Sequence, residues 1–132
     1  MQKITIRTRA RQELVDITGE IEEVIRKTGF KNGLVNIFTP HTTAAVIVNE
    51  NYDPSVARDI LNTLEKIVPS SGTYTHLEGN AHAHIKSSII GSSRLIPVQD
   101  GKLQLGTWQG VFFCEFDGPR TRQVWISFLK EE

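Results

Sequence analysis

The sequence predicts an α+β fold: a single domain over residues 1–132, with antiparallel sheets in a sandwich-like arrangement and two or three helices. Three observations predict it. The 132 residues match the size of one domain of about 150 residues. Two segments combine helical apolar spacing with start and stop signals. The other apolar segments are short, alternate in polarity and are separated by turn residues, which is typical of about seven or eight antiparallel strands.

The chain begins with two short strands and a helix. Alternating apolar residues place the first strand at Ile4 and Ile6 and the second from Leu14 to Ile17. Thr18 is the predicted N-cap of the helix, because a hydroxyl there can accept a backbone N–H of the first turn. Gly29 is the predicted C′ residue, where a left-handed conformation ends a helix.

A corner and a second helix follow. Strands are predicted at Leu34–Phe38 and Ala44–Val48, and Pro40 between them favours a corner because it has no N–H for a ladder. Asp53-Pro54 is an N-cap followed by proline at the first helical position. The helix that starts there is predicted to end at Pro69.

The stretch Asn80–Gly91 is compatible with two structures. As a third helix, it would be capped by Asn80, with Ile85 and Ile89 on its buried face. It would also place His84 one turn beyond Asn80 and direct His82 elsewhere. As a strand, it would present both histidines on one side, where they could chelate a metal.

Two hairpins are predicted in the last third of the chain. Asp100-Gly101 is a two-residue turn signal between strands at Arg94–Gln99 and Lys102–Leu105. The second hairpin pairs Val111–Phe116 with Gln123–Leu129 around a glycine- and proline-containing turn.

Charge and cysteine usage exclude several function classes. Lys plus Arg and Asp plus Glu are 15 each, and the net charge is +0, which argues against a nucleic-acid partner because binding the phosphate backbone needs an excess of cations. The single cysteine, Cys114, excludes a disulfide framework. No apolar stretch reaches the ~20 residues of a membrane span. We expect a cytoplasmic protein with no membrane partner.

Histidine is the strongest chemical signal. His41 lies in the predicted corner, where it could be presented to a ligand or simply bond a neighbouring threonine. Together with His76 and His84 it would supply three imidazoles, the ligand set of an open zinc site. The alternative is that these are separate, solvated rings.

Glu115 interrupts a nearly continuous apolar strand. An unpaired buried carboxylate is costly, so Glu115 would lie at an edge, pair with Arg120 or Arg122, or serve a site. Trp108 and Gln109 stand between Gly106 and Gly110, a pattern that allows either a bulge with a core tryptophan or a close approach to a flat ligand.

Several segments also match a known family in the same order. They are His41-Thr42-Thr43-Ala44-Ala45, Asn49-Glu50-Asn51, Asn80 with Ala83-His84-Ile85-Lys86, and Gly106-Thr107-Trp108-Gln109-Gly110-Val111. Together they resemble the YjbQ-like family, whose members are often described as secondary thiamine-phosphate synthases. The stretch from Ser93 to Gln109 is similar to that family's signature.

The resemblance implies a homotrimer with a pocket shared between subunits. It also implies condensation of a hydroxymethylpyrimidine diphosphate with a thiazole phosphate, so the expected ligand bears phosphate. The candidate catalytic residues are His41, His84 and Glu115. The candidate substrate-binding residues are Glu50, Asn80, Lys86, Trp108, Gln109 and Arg120, with Lys86 chosen for its charge.

The expected cofactor is a divalent metal. Zinc would suit His41, His76 and His84, whereas magnesium would suit a departing diphosphate. Because imidazoles fit the named reaction poorly, we expect thiamine-phosphate synthesis to be weak. The alternative function is a non-catalytic homotrimer that binds a metal or a small anion. Both readings assume that the histidines gather beside Trp108 and Gln109 in one hollow.

Overall fold

The structure is a computed structural model that describes residues 1–132. It contains three helices: α1 (Thr18–Thr28), α2 (Pro54–Ile67) and α3 (Ala81–Ile90). The eight strands are β1 (Gln2–Arg7), β2 (Glu13–Asp16), β3 (Gly33–Phe38), β4 (Ala44–Glu50), β5 (Ser93–Gln99), β6 (Lys102–Leu103), β7 (Gln109–Glu115) and β8 (Thr121–Lys130).

The strands form two antiparallel sheets. One has five strands in the order β1-β8-β3-β5-β6, and the other has three in the order β2-β7-β4. The predicted α+β class is therefore confirmed.

The main core lies between the two sheets. Val35 and Ile126 from the larger sheet meet Val46 and Phe113 from the smaller one, and α1 adds Ile21. Because side chains alternate along a strand, the other face of the smaller sheet forms a second cluster against α2 and α3. That cluster contains Ala45, Cys114, Phe116, Leu64 and Ala83.

The cap of α1 differs from its prediction. Ile17 is the N-cap, without a side-chain bond, and Thr18 is the first helical residue. The Thr18 hydroxyl donates to Asp16 Oδ1 at 2.7 Å and accepts from the Val111 N–H at 2.9 Å. It therefore joins the start of the helix to β7. Gly29 ends the helix with a φ of 73°, as predicted.

The prediction for the buried face of α3 is wrong. Ile85 and Ile89 are 38% and 57% exposed, whereas His82, Ala83 and Lys86 are fully buried. The small Ala83 side chain lets the helix approach the sheet closely. The lysine can be buried because its ammonium is bonded to Glu65, Gln12 and His82 Nδ1, whereas His82 Nε2 is left without a partner.

The second predicted hairpin is also wrong, although both strands exist. β7 pairs with β2 and β4, while β8 pairs with β1 and β3. Each strand is paired along both edges, so neither has an edge free for the other. Residues 117–120 instead carry the chain from one sheet to the other. The first hairpin is confirmed: Asp100 and Gly101 both have the positive φ that its tight turn requires.

Candidate functional site

One cavity collects the histidines of the corner and of α3. It measures about 390 Å³, and we call it the histidine pocket; its lining residues are His41, Thr42, Ala44, His84, Ser87, Ser88, Gly91 and Ser92. The corner between β3 and β4 supplies one wall, and α3 from His84 onward, with its turn into β5, supplies the other. The lining contains imidazoles and hydroxyls but no carboxylate.

His41 is held in one tautomer. Its Nε2 accepts the backbone N–H of Gln123 at 2.9 Å, so in the neutral ring the proton is on Nδ1. Burial lowers the pKa of His41, and the nearby Arg122 charge lowers it further. Near neutral pH this ring is therefore an uncharged N–H donor.

His84 and His76 lie next to each other. Their ring centroids are 5.3 Å apart and the rings meet edge-on at 83°. His76 is exposed, lies outside the pocket lining, and has its Nε2 3.8 Å from a carboxylate oxygen of Glu78. The structure therefore places His84 in the pocket with His41, and His76 beside it.

The three predicted metal ligands do not form a metal site within one chain. No three His, Cys, Asp or Glu side chains are arranged to hold a metal ion. The Nε2 lone pair of His41 already accepts a backbone N–H, and a metal would need that pair or a deprotonated Nδ1. The pocket also lacks the carboxylates that magnesium prefers. Within one chain, the residues that line the pocket therefore do not form a zinc or magnesium site.

Two serines of α3 line the pocket differently. Ser88 donates its hydroxyl to the backbone oxygen of His84 at 2.9 Å. The Ser87 hydroxyl is enclosed and has no protein partner. Buried polar atoms are nearly always paired, so this hydroxyl is an exception at the pocket wall, and its side chain would have to rotate to reach a ligand.

Glu115 lies behind the pocket and is fully buried. It pairs with Arg122 and accepts from the Thr8 hydroxyl at 2.7 Å and from the Asp117 N–H at 3.1 Å. Arg122 in turn donates to the Thr43 hydroxyl at 2.9 Å. Glu115 therefore has the ion-pair role that we considered as an alternative, and in a single chain it cannot reach a ligand as a catalytic residue.

Asn80 and Arg120 meet at Asp117. The Asn80 amide donates to Asp117 Oδ2 at 2.9 Å, and Arg120 donates to the same oxygen at 3.0 Å. Asn80 occupies the N-cap position of α3 but makes no side-chain cap. These residues tie the start of α3 to the segment that links the sheets, while Arg120 stays exposed.

Lys86 is fully buried, so its ammonium does not reach the surface as the predicted phosphate contact requires. It donates to Glu65 Oε1 at 2.8 Å, to His82 Nδ1 at 3.0 Å and to Gln12 Oε1 at 3.1 Å. The bond from Lys86 is the main reason why the pKa of Glu65 is far below its usual range. Lys86 thus has a structural role, fastening α3 to α2.

Trp108 lies in a second cleft, of about 450 Å³, with Glu50, Tyr52, Asp53 and Pro54. We call these residues the aromatic cluster. The Tyr52 and Trp108 rings meet edge-on with centroids 5.2 Å apart.

Gln109 is partly engaged next to this cleft. Its side-chain oxygen accepts the Gly106 N–H at 2.8 Å. The Asn51 N–H donates to the Trp108 oxygen at 3.0 Å, so the two predicted motifs of this region are bonded to each other.

The histidine pocket and the aromatic cluster are at opposite ends of one strand pair. Ala44 pairs with Glu115 at the pocket end, and Glu50 pairs with Gln109 at the cluster end. Six steps along a strand correspond to about 20 Å. The prediction that the histidines and Trp108 share one hollow is therefore wrong for a single chain.

Sequence reasoning missed three residues of these sites. Gln123 acts through its backbone, which no side-chain pattern reveals. Ser87 is one of several serines around Gly91, a cluster that could have drawn attention to it. Tyr52 directly follows the quoted Asn49-Glu50-Asn51 segment and could have been paired with Trp108 as a second aromatic.

The fold and the site define a small α+β protein in which two helices cover the smaller of two antiparallel sheets and a hydroxyl- and imidazole-lined pocket opens beside it. The chain matches the family described as UPF0047 protein YjbQ-like over residues 2–131. It belongs to that family, in agreement with the resemblance of its motifs.

Its relatives include archaeal and bacterial proteins. The UPF0047 protein MJ1081 of Methanocaldococcus jannaschii is 50% identical over 130 residues, which are 98% of this chain and 94% of that protein. The UPF0047 protein YugU of Bacillus subtilis is 45% identical over 130 residues, 98% of each chain.

Solved structures share the fold. A conserved protein of the YjbQ/UPF0047 family from Clostridium acetobutylicum superimposes with a TM-score of 0.95 at 46% identity, covering 98% of this chain and 100% of that one. The hypothetical protein APE1520 from Aeropyrum pernix gives 0.94 at 43% identity, with 98% of each chain covered. In the present structure, none of the helices is long and apolar enough to cross a membrane.

Proposed function

We propose that this chain is a subunit of a homotrimeric enzyme that binds a phosphate-bearing small molecule in the histidine pocket. One observation carries the proposal: the pocket joins imidazoles and an unpartnered hydroxyl, and no carboxylate lines it. His41 offers an N–H, and Ser87 would offer an O–H once its side chain rotates toward the pocket; such donors stabilise an oxyanion.

The family resemblance supports a reaction for such a pocket, with weak thiamine-phosphate synthesis as its first candidate. The methylene carbon of the pyrimidine forms a bond to the thiazole nitrogen, and diphosphate departs with the electrons of the broken C–O bond. His41, His84 and Ser87 would stabilise the charge on the departing diphosphate. Glu115 and Arg122 would position His41, since Gln123, which fixes its tautomer, directly follows Arg122.

The distance between the histidine pocket and the aromatic cluster supports an oligomer. We call the pocket and the cluster the two half-sites. A contact that joins opposite ends of two identical chains is head-to-tail, and such contacts close into rings when the rotation permits. A ring of three copies would bring the aromatic cluster of one copy to the histidine pocket of the next. This agrees with the trimer that the resemblance implies, and it assigns the stacking surface to Trp108 of a neighbouring copy.

Calorimetry with inorganic diphosphate tests the binding half of the proposal. We expect saturable binding that weakens about tenfold in His84→Ala and in Ser87→Ala, since a hydrogen bond to a charged group contributes about 1.5–3 kcal/mol. Ser127→Ala is the matched control, because Ser127 lies in the five-stranded sheet and outside the pocket lining. Equal affinity in all variants would place the diphosphate elsewhere and refute the assignment.

Turnover tests the catalytic half. Thiamine phosphate formed from the two phosphorylated precursors would be followed by mass spectrometry, with loss of rate in His84→Ala. The second candidate is a non-catalytic anion-binding module. One observation favours it: Glu115 is buried in its ion pair with Arg122, so the pocket has no carboxylate base. Diphosphate binding without any turnover would select that candidate.

A further inference from the structure

We infer that the aromatic cluster is a binding site for a small alkylated ammonium ion. The site combines the faces of Tyr52 and Trp108 with the carboxylates of Glu50 and Asp53. The inference deepens the proposed function and rests on it, because it states the charge of the chemical group that binds to the aromatic cluster.

The two rings form adjoining walls of an open cleft. Tyr52 is 75% exposed and Trp108 is 55% exposed, although large aromatic side chains usually bury most of their surface. Their planes are inclined at 63° with centroids 5.2 Å apart. The two rings touch edge to face, so a cation would sit in the angle outside this contact, within the ~6 Å over which a ring face attracts a positive charge.

The carboxylates of Glu50 and Asp53 give the cleft a negative charge. Glu50 Oε2 accepts the Asp53 N–H at 3.3 Å, and Asp53 Oδ1 accepts the Ser55 N–H at 2.9 Å. Each group therefore keeps one oxygen outside these bonds. The backbone bond from Ser55 also lowers the pKa of Asp53, which keeps its charge near neutral pH. Arg58 acts on Asp53 from further along α2 but does not line the cleft.

The cleft is held in place before any ligand arrives. The Asn51 N–H donates to the Trp108 oxygen, and its side-chain amide donates to Asp16 Oδ2 at 3.0 Å. Gly110 lies so close to Asn51 that a Cβ added there would meet the amide nitrogen at 2.3 Å. A site that is already ordered loses little entropy on binding.

The chemistry favours a soft cation. The two exposed rings present faces without conventional hydrogen-bond acceptors to the N–H groups of a compact ammonium, although one oxygen of each carboxylate is free. An alkylated ammonium needs no such acceptor, because its charge is attracted by the ring faces and by the nearby carboxylates. Its methyl groups would also pack against the exposed ring surface.

Choline and its uncharged carbon isostere, 3,3-dimethylbutan-1-ol, test the inference. In a Trp125→Phe background Trp108 is the remaining tryptophan, so its fluorescence reports the cleft. We expect choline to quench this fluorescence in a saturable way, with a dissociation constant at least tenfold lower than that of the isostere. Binding followed by calorimetry should weaken about tenfold in Tyr52→Leu and about threefold in Glu50→Gln, in line with cation–π energies of about 0.5–2 kcal/mol. Tyr74→Phe, in the segment between α2 and α3, is the control and should leave binding unchanged.

The two half-sites are read separately on the same sample. Choline binding without diphosphate binding would support this inference and refute the proposed function. Diphosphate binding without saturable choline binding would support the proposed function and refute this inference. Equal affinity for choline and its isostere would also overturn the inference, since it would show an apolar cleft. Trp108→Phe keeps an aromatic wall and should retain most of the affinity for choline. It is the control for variants that lose binding because they misfold.

Discussion

Glu115 and Arg122 show how a buried charge pair can shape a surface site. The pair is enclosed, yet Arg122 bonds Thr43 next to the pocket and contributes to the low pKa of His41. Gln123, the next residue, fixes the tautomer of the same ring. The buried pair therefore influences the protonation of His41, while the Gln123 N–H determines which nitrogen of the ring donates.

Glu115→Gln should destabilise the protein by about 3–5 kcal/mol, because it leaves the Arg122 charge buried without its partner. Urea denaturation followed by circular dichroism measures the change. The double variant Glu115→Gln with Arg122→Met should recover part of the loss. A single-variant loss under about 1 kcal/mol would contradict the role assigned to the pair.

The pKa of His41 predicts a dependence of stability on pH. Its folded pKa lies below the usual 6.5, so as the pH falls through about 6.5 the unfolded chain binds a proton that the folded chain does not. Stability should therefore fall as the pH is lowered from 7.5 to 5.5, as measured by denaturant midpoints at ~0.5-unit steps.

The slope should be shallower in His41→Asn. His82 contributes in the same direction, because burial and then Lys86 lower its pKa, so a residual slope is expected. His76→Asn is the control, since His76 is exposed. A slope that is identical in His41→Asn and the natural chain would show that His41 does not carry this effect.

Gly110 illustrates a close approach that only glycine permits. Gly110→Ala would drive a methyl group into the Asn51 side chain, so we expect a loss of about 1–3 kcal/mol from overpacking and a shifted Trp108 emission. Gly19→Ala is the matched control, because nothing lies within 4 Å of a Cβ there. Gly19→Ala should leave the stability equal or higher. A Gly110→Ala chain as stable as this control would refute the claim that the close approach of Asn51 requires glycine at position 110.

At the scale of the element, α3 connects the interior to the site. One of its faces buries His82, Ala83 and Lys86, and another presents His84 and Ser87 to the pocket. The Lys86 bond to Glu65 fastens it to α2. The position of the pocket wall therefore depends on buried polar contacts on the opposite side of the helix.

Lys86→Ala should cost about 2–5 kcal/mol, from the volume removed and from the lost partner of His82. Ile89→Ala on the same helix should change stability by less than about 1 kcal/mol, because Ile89 is exposed. Thermal or urea denaturation of both variants checks the comparison. The reverse order would mean that the helix buries its isoleucine face, as the sequence alone had suggested.

At the scale of the whole molecule, the sandwich separates two half-sites that the family motifs seemed to unite. A ring of copies would join the pocket of one chain to the aromatic cluster of the next. The larger sheet also exposes Leu95 and Leu129, and no helix covers its outer face.

Mixing two defective variants tests the ring. His84→Ala and Trp108→Ala each damage one half-site, so chains mixed by unfolding and refolding together should regain about a quarter of the normal sites, because a cyclic contact takes each half from a different copy. Thiamine phosphate formation measures the recovery, and light scattering should give three times the 14.8 kDa chain mass. No recovery in mixed rings would show that each site belongs to one chain.

The sequence alone determined the positions of α1, α2, most strands and the first hairpin, but it left Asn80–Gly91 open between a helix and a strand. Asp53-Pro54, Gly29 and Asp100-Gly101 act through backbone geometry within a few residues, so local rules suffice. The ordered motifs also identified the family. These features need no knowledge of distant partners.

Only the tertiary structure decided which strands share a sheet, which face of α3 is buried and where the half-sites lie. β7 and β8 follow each other in sequence, but each finds both its partners elsewhere in the chain. Lys86 is buried because Glu65, 21 residues earlier, accepts its ammonium. Such outcomes depend on contacts between distant segments, and the spacing of residues along the chain does not specify them.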